Sequence, residues 1–241
     1  RLLGEKKDNE AKKTCAFCIW ISLVFGLCIS AILLLFRTQI LGLLGVGKDT
    51  YQYANAYYTW IAIGAVSIIF SMVPSNILRT EGLAVQSMAG SIIGSIVNII
   101  FDPIFIFGLN QGAAGAAMAT VLGNIIADIY YVYAVVKKSK RLICSPSHMK
   151  VTGRRIRDIL MIGIPASITN IMQTFMMVMT NNFLLTYGTD KVAAMGIALK
   201  VNMITALVLV GFAFGGQPLV GYNYGAKNEK RLKNILKFAY L

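Results

Sequence analysis

Charge is scarce in this sequence. Only 14% of its 241 residues are Asp, Glu, Lys or Arg, while 56% are hydrophobic, and the mean hydropathy is +0.66. Soluble domains carry roughly 25% charged residues, so a water-soluble globular fold is excluded. Histidine is almost missing: the lone His148 lies in a basic loop and reads as a solvated residue. Cysteine is sparse too. Cys15 and Cys18 form a C-x-x-C where the first apolar stretch begins, but Cys28 and Cys144 offer no second pair at zinc-ligand spacing, which argues against a metal or redox role. No nucleophile is paired with a base, so no enzyme is predicted and no cofactor is implied. The segment GLLGVGKD (42–49) has the glycines and lysine of a phosphate-binding loop, yet Asp49 stands where a Mg²⁺-ligating Ser or Thr is required, and no ATP-driven engine is visible. No cleavable signal peptide is evident, because the first apolar stretch is long enough to span and follows a segment of mixed charge.

What is present is long apolar stretches. Six occur, at 14–36, 54–78, 83–109, 113–136, 159–187 and 192–222. Each exceeds the roughly 20 residues a helix needs to cross about 30 Å of hydrocarbon. Helices satisfy their own backbone hydrogen bonds in lipid, so an all-α, polytopic bundle of six transmembrane helices is predicted. A formal charge of +13 would suggest nucleic acid, but its placement explains it otherwise. With the N-terminus cytoplasmic, 19 of the 23 lysines and arginines fall on inner connections. This positive-inside bias predicts cytoplasmic termini at both ends and removes the main support for nucleic-acid binding.

The most basic polar interval divides the spans into four and two. Residues 1–136 form one part, 137–158 a basic cytoplasmic linker and 159–241 the second part. Other connections are short, which requires antiparallel neighbours. Small residues in GAAGAAMAT (112–120) favour close helix contact in lipid. One further pattern spans the whole chain: RLLGEKKDNEAKK at the start is echoed 221 residues later by YNYGAKNEKRLKN, with Gly4 over Gly225, Lys6 over Lys227, Lys12 over Lys233 and Asp8 over Glu229.

Charges inside the spans are the informative anomalies, since each costs roughly 2.5–3.5 kcal/mol at mid-membrane and marks an ion path or binding site. They are Asp102, Asp128 and Lys200. Asp102 follows Asn98 by four residues, so both project from one helix face. Pro103 lacks an N–H, leaves the carbonyl of Ile99 without its helical partner, and is expected to kink the helix. Counting from the ends of the third and fourth spans places Asp102 and Thr120 both about 10 Å from the outer face. Carboxylate, amide and hydroxyl at one depth suit Na⁺, and the carboxyl could instead carry a proton. A purely structural hydrogen-bond network between two helices is the alternative. Asp128 sits beside Tyr130 and Tyr131 and is expected to bond a tyrosine hydroxyl or Lys200, with a structural role favoured. Lys200 could also snorkel to the outer interface. Met172, Met176, Met177 and Met179 would suit an adaptable binding wall, against a plain lipid-facing or core stripe.

RTEGLAVQSMAGSIIGSIVNIIFDPIFIFGLNQGAAGAAMAT (79–120) resembles the multidrug and toxic compound extrusion (MATE) family, with its N-x-x-x-D-P segment, outer turn and G-A-A-x-A-T helix start. IGIPASI (162–168) and GGQPLVGYNYGAKNEKR (215–231) are similar to the same family's seventh and eighth helices. The resemblance covers essentially the whole chain. It implies a twelve-helix antiporter of two six-helix lobes, monomeric in the inner (plasma) membrane, exporting drug-like and often cationic compounds in exchange for H⁺ or Na⁺. The six spans then correspond to helices three to eight, in an internal fragment that lacks helices one, two and nine to twelve. Asn98, Asp102 and Thr120 fall on the family's N-lobe cation site, whose further aspartate lies on the missing first helix. Gln173 stands where some branches carry a glutamate, which favours N-lobe coupling. A lipid-linked saccharide flippase and a non-transporting membrane subunit are the rival readings. The echoed phrases would be one junction of a duplicated lobe seen twice, and two lobes imply roughly 440 residues for the intact protein.

Overall fold

A computed structural model describes residues 2–43, 50–139 and 152–240, and every regular element among them is helical. The helices are α1 (Asp8–Leu35), α2 (Arg37–Leu43), α3 (Tyr51–Thr80), α4 (Ala84–Pro103), α5 (Gly112–Lys138), α6 (Gly153–Leu185), α7 (Thr189–Gly225) and α8 (Glu229–Tyr240), with a π-helical turn at Ile104–Gly108. Six of them, counting α4 with its π turn as one, are long and apolar enough to cross a membrane. The chain is therefore a multi-pass membrane protein.

Two compact units divide the chain, Leu2–Lys150 and Val151–Leu241. In the first, α5 packs against α3 and α4, and α1 packs against α3. Its core is made of small residues. Ala117, Ala119 and Ala134 are fully buried on α5, and the glycines beside them let backbones approach closely. A Cβ on Gly123 would lie 2.6 Å from the Gly94 carbonyl oxygen, and one on Gly115 would lie 2.6 Å from the Phe105 carbonyl carbon. The GAAGAAMAT start of α5 is thus the surface on which the π turn rests. A larger apolar cluster, Leu78, Ala127, Tyr131, Ala134 and Val135, closes the opposite end of this unit.

The second unit contains two long helices, α6 and α7, joined by a short turn at Thr186–Gly188 in which Gly188 has a φ of 107°. That left-handed conformation is open to glycine at little cost. α8 follows and is strongly amphipathic.

Helix ends depart from the apolar limits. α5 runs to Lys138 and α6 begins at Gly153, so both helices extend into the interval 137–158. Charged residues such as Arg154, Arg155 and Arg157 extend a helix without cost once it emerges from lipid, so hydropathy alone ends it too early. His148 and most of the GLLGVGKD segment lie outside the described residues.

The echoed phrases adopt the same turn. Lys6 and Lys227 both have positive φ, 57° and 53°. The amide of Lys6 bonds to the Leu3 carbonyl at 3.2 Å, and that of Lys227 to the Tyr224 carbonyl at 3.2 Å. Lys7 bonds to Leu2, and Asn228 to Asn223, both at 3.1 Å. Helices then start at Asp8 and at Glu229. Every equivalent pair is offset by the 221 residues of the sequence echo.

Candidate functional site

The cluster is assembled where α4 and α5 come closest. Gly94 and Gly123 face each other across the seam, and the backbone of Gly123 also approaches Asn98. This contact brings the Asn98 amide to Thr120, whose Oγ1 accepts a hydrogen bond from Nδ2 at 3.3 Å. Thr120 in turn donates to the Ala116 carbonyl at 3.0 Å, which fixes its rotamer. Asn124 continues the polar face one turn further on, donating to the Thr120 carbonyl at 2.8 Å.

Asp102 stands one turn beyond Asn98, next to this pair but not bonded to it. The side chain is half-buried, and its Oδ1 is buried without a hydrogen-bond partner among the described residues. A buried carboxylate oxygen without a hydrogen bond is costly. Of the three groups expected to converge, Asn98 and Thr120 are hydrogen-bonded, and Asp102 lies one helical turn from Asn98 without a bond to either.

Pro103 ends the α-helical ladder of α4, but the chain does not simply bend. The next five residues form a π-helical turn, closed by the Leu109 amide on the Ile104 carbonyl at 2.9 Å. The Gln111 amide then reaches the Phe105 carbonyl at 3.1 Å. The helix thus widens from i+4 to i+5 pairing directly after the proline, and such turns recur at functional sites.

Asp128 has a different partner from those expected. It is buried on α5, and its Oδ2 accepts a hydrogen bond from the Ser67 hydroxyl of α3. Tyr131 is occupied elsewhere: its hydroxyl shares a bond with Ser91 Oγ at 2.8 Å and donates to the Ser87 carbonyl at 3.2 Å. Tyr130 stacks edge-on against Tyr131, with ring centroids 6.4 Å apart. The tyrosine expectation fails because the Tyr131 hydroxyl is taken up by Ser87 and Ser91 of α4, while Asp128 meets Ser67 of α3. Ser87 completes a network the sequence reading missed. Its hydroxyl pairs with Ser75 Oγ at 2.9 Å and accepts from Arg79 Nε at 3.0 Å. The spacing of Ser87 and Ser91, one turn apart within an apolar helix, was the available signal.

Lys200 lies on α7 and Gln173 on α6, and both are exposed. Met172, Met176, Met177 and Met179 are exposed as well and line more than one face of α6. Cys15, Cys18 and Cys28 are free thiols.

Comparison with known proteins agrees across nearly the whole chain. The MatE family model matches residues 1–104 and 165–241. The multidrug export protein MepA of Staphylococcus haemolyticus is 32% identical over 237 residues, which is 98% of this chain and 52% of that protein. Among solved structures, a MOP superfamily transporter from Pyrococcus furiosus superposes with a TM-score of 0.92 at 27% identity, covering 99% of this chain and 53% of that one. An outward-facing multidrug resistance MATE family transporter gives a TM-score of 0.90 at 26% identity, with the same coverage. The chain spans about half the length of the curated relatives it matches.

Proposed function

Because the chain belongs to the MatE family, we propose that it is part of a two-lobe secondary transporter that exports drug-like, often cationic small molecules in exchange for H⁺ or Na⁺. Residues 1–136 belong to the first lobe and 159–241 to the second. The common turn at Lys6 and Lys227 supports this, since one junction repeated at a constant offset is what a duplicated lobe leaves behind. The relative named a multidrug export protein supports the substrate class. The protein works as a monomer in the plasma membrane, the inner membrane where there are two. Its termini here are cytoplasmic, as the basic connections require.

The observation that carries the coupling role is the buried Oδ1 of Asp102, without a hydrogen-bond partner among the described residues, one helical turn from the Asn98 that bonds Thr120. A proton would bind this oxygen directly. Na⁺ would draw on Asp102, the Asn98 carbonyl oxygen and Thr120 Oγ1, all hard oxygen ligands. Either ion changes the charge at the start of the π turn, and the turn's backbone rests on Gly115 of α5. Neutralising Asp102 thus shifts the balance between two arrangements of α4 against α5, which biases rocking of the lobes.

The test is dye export by the full-length protein in proteoliposomes, with a proton gradient in one arm and a Na⁺ gradient in the other. Asp102→Asn keeps the shape of the side chain and removes its charge, so gradient-driven export is lost in whichever arm drives the parent. Full ion-coupled export by this variant would overturn the assignment.

A further inference from the structure

Among the described residues of this unit, Asp128 is the carboxylate deep within a membrane span that the coupling site does not use. It is only 9% exposed, on the lipid-embedded stretch of α5, and its Oδ1 is buried with no hydrogen-bond partner among the described residues. Its other oxygen has one partner, the Ser67 hydroxyl. We infer that Asp128 and Ser67 form a second proton-exchanging site, separate from the Asp102 cluster and nearer the proposed cytoplasmic side.

The donor set decides between a proton and a metal ion. A hard cation takes about six oxygen ligands, and here one carboxylate and one hydroxyl face each other across the α3–α5 seam. A proton needs only one oxygen, and Oδ1 is open. Ser67 suits both states because a hydroxyl donates and accepts. It donates to Oδ2 when the carboxylate is charged, and it can rotate to accept when the acid is formed. Proton uptake therefore makes one O–H bond on Asp128, turns one hydrogen bond around, and breaks no covalent bond.

Among the described residues of its own unit, no opposite charge pairs with the carboxylate. On α5 the titratable neighbours are Tyr130 and Tyr131, and the Tyr131 hydroxyl is engaged by Ser91 and Ser87. On α3 the cation is Arg79, 12 positions beyond Ser67 and so about 18 Å along the helix, bonded to Ser87. Tyr58 lies in the other direction on α3 and donates to the Leu33 carbonyl. On α4 the nearest charge is Asp102 at its far end. α1, packed behind α3, has its charges in the first turns, from Asp8 to Lys13. A full carboxylate charge at this position is therefore uncompensated and must exchange with a proton to be tolerated. Along α5, Thr120, Asn124, Asp128 and Tyr131 lie on one stripe, since steps of four, four and three residues keep within about 80° of arc. The site is thus placed on a polar face that runs from the Asp102 cluster to the Ser87–Arg79 network.

The inference does not depend on the coupling role of Asp102, and its test reads the two apart. In pH-difference infrared spectra of the full-length protein in liposomes, the C=O band of each protonated carboxylic acid is observed directly. Asp128→Asn is expected to remove one titrating band, Asp102→Asn to remove a different one, and Asp128→Glu to restore a displaced band. Ser67→Ala leaves the carboxyl in place and shifts the same band as its hydrogen bond is lost, which keeps the test valid if Asp128→Asn does not fold. The pH profile of export should flatten in Asp128→Asn and be regained in Asp128→Glu. An unchanged set of carboxylic acid bands in Asp128→Asn, or an unmoved band in Ser67→Ala, would overturn the proposal.

Discussion

Replacing Gly123 by alanine tests whether the α4–α5 seam builds the candidate site. The added Cβ would lie 2.6 Å from the Gly94 carbonyl oxygen, a backbone atom that cannot rotate away, and 3.4 Å from the Asn98 Cβ. Ordinary contact begins at 3.4 Å, so the helices must part locally by about 0.8 Å. Such a shift stretches the 3.3 Å Asn98–Thr120 bond to about 4 Å, beyond a hydrogen bond. Three effects compete. Overpacking costs about 1–3 kcal/mol, the lost interhelical bond about 0.6 kcal/mol, and the better helix propensity of alanine returns about 1 kcal/mol. The net expectation is a loss of about 0.6–2.6 kcal/mol, with overpacking dominant because the obstacle is backbone. Thermal unfolding of the full-length protein in detergent measures the loss, and ion-coupled export should fall with it. Gly42→Ala is the control, since nothing lies within 4 Å of its added Cβ. If Gly123→Ala proved as stable and as active as the parent, close seam packing would not be what assembles the site.

Other consequences are smaller and separable. Tyr131→Phe removes the hydroxyl that joins Ser91 Oγ and the Ser87 carbonyl, and should cost about 1 kcal/mol of thermal stability at roughly 0.6 kcal/mol per interhelical bond, without abolishing export. Gly115→Ala would press on the Phe105 backbone and displace the π turn, so it should impair ion-coupled export more than substrate binding measured at equilibrium. Lys6→Gly and Lys227→Gly relieve positive φ values of 57° and 53°, and each should raise the unfolding midpoint, by about 0.5–1 kcal/mol in stability. Equal gains in the two variants are expected if the turns are equivalent.

Much of this was legible in the sequence. The six spans follow from hydropathy, and counting residues inward from two helix ends joined by a three-residue loop put Asp102 and Thr120 at one depth, whereas the hydrogen bond that forms joins Thr120 to Asn98, one turn away from Asp102. Hydropathy and depth are local quantities. The partner of Asp128 was not legible, because Ser67 lies on another helix, and only the way α5 is turned against α3 and α4 gives Asp128 to Ser67 and the Tyr131 hydroxyl to Ser87 and Ser91. The π turn was read only as a kink, since proline predicts a lost hydrogen bond but not the wider turn that follows it. The early start of α6 was hidden because its first turns are basic and fall outside any apolar window.

Taken alone, the sequence determined the solvent and the class: its scarcity of charge, the length of its apolar stretches and the bias of its cations require a membrane bundle, and its repeated phrase marks two equivalent points 221 residues apart. Hydropathy and charge add up along the chain, so no contact is needed to read them. Only the tertiary structure decided which face of each helix meets which. Gly94 against Gly123, Phe105 on Gly115 and Ser67 on Asp128 join residues 10 to 61 positions apart. Those pairings depend on packing between backbones at close range, where shape and hydrogen bonding select one rotation of a helix among several that hydropathy leaves equal.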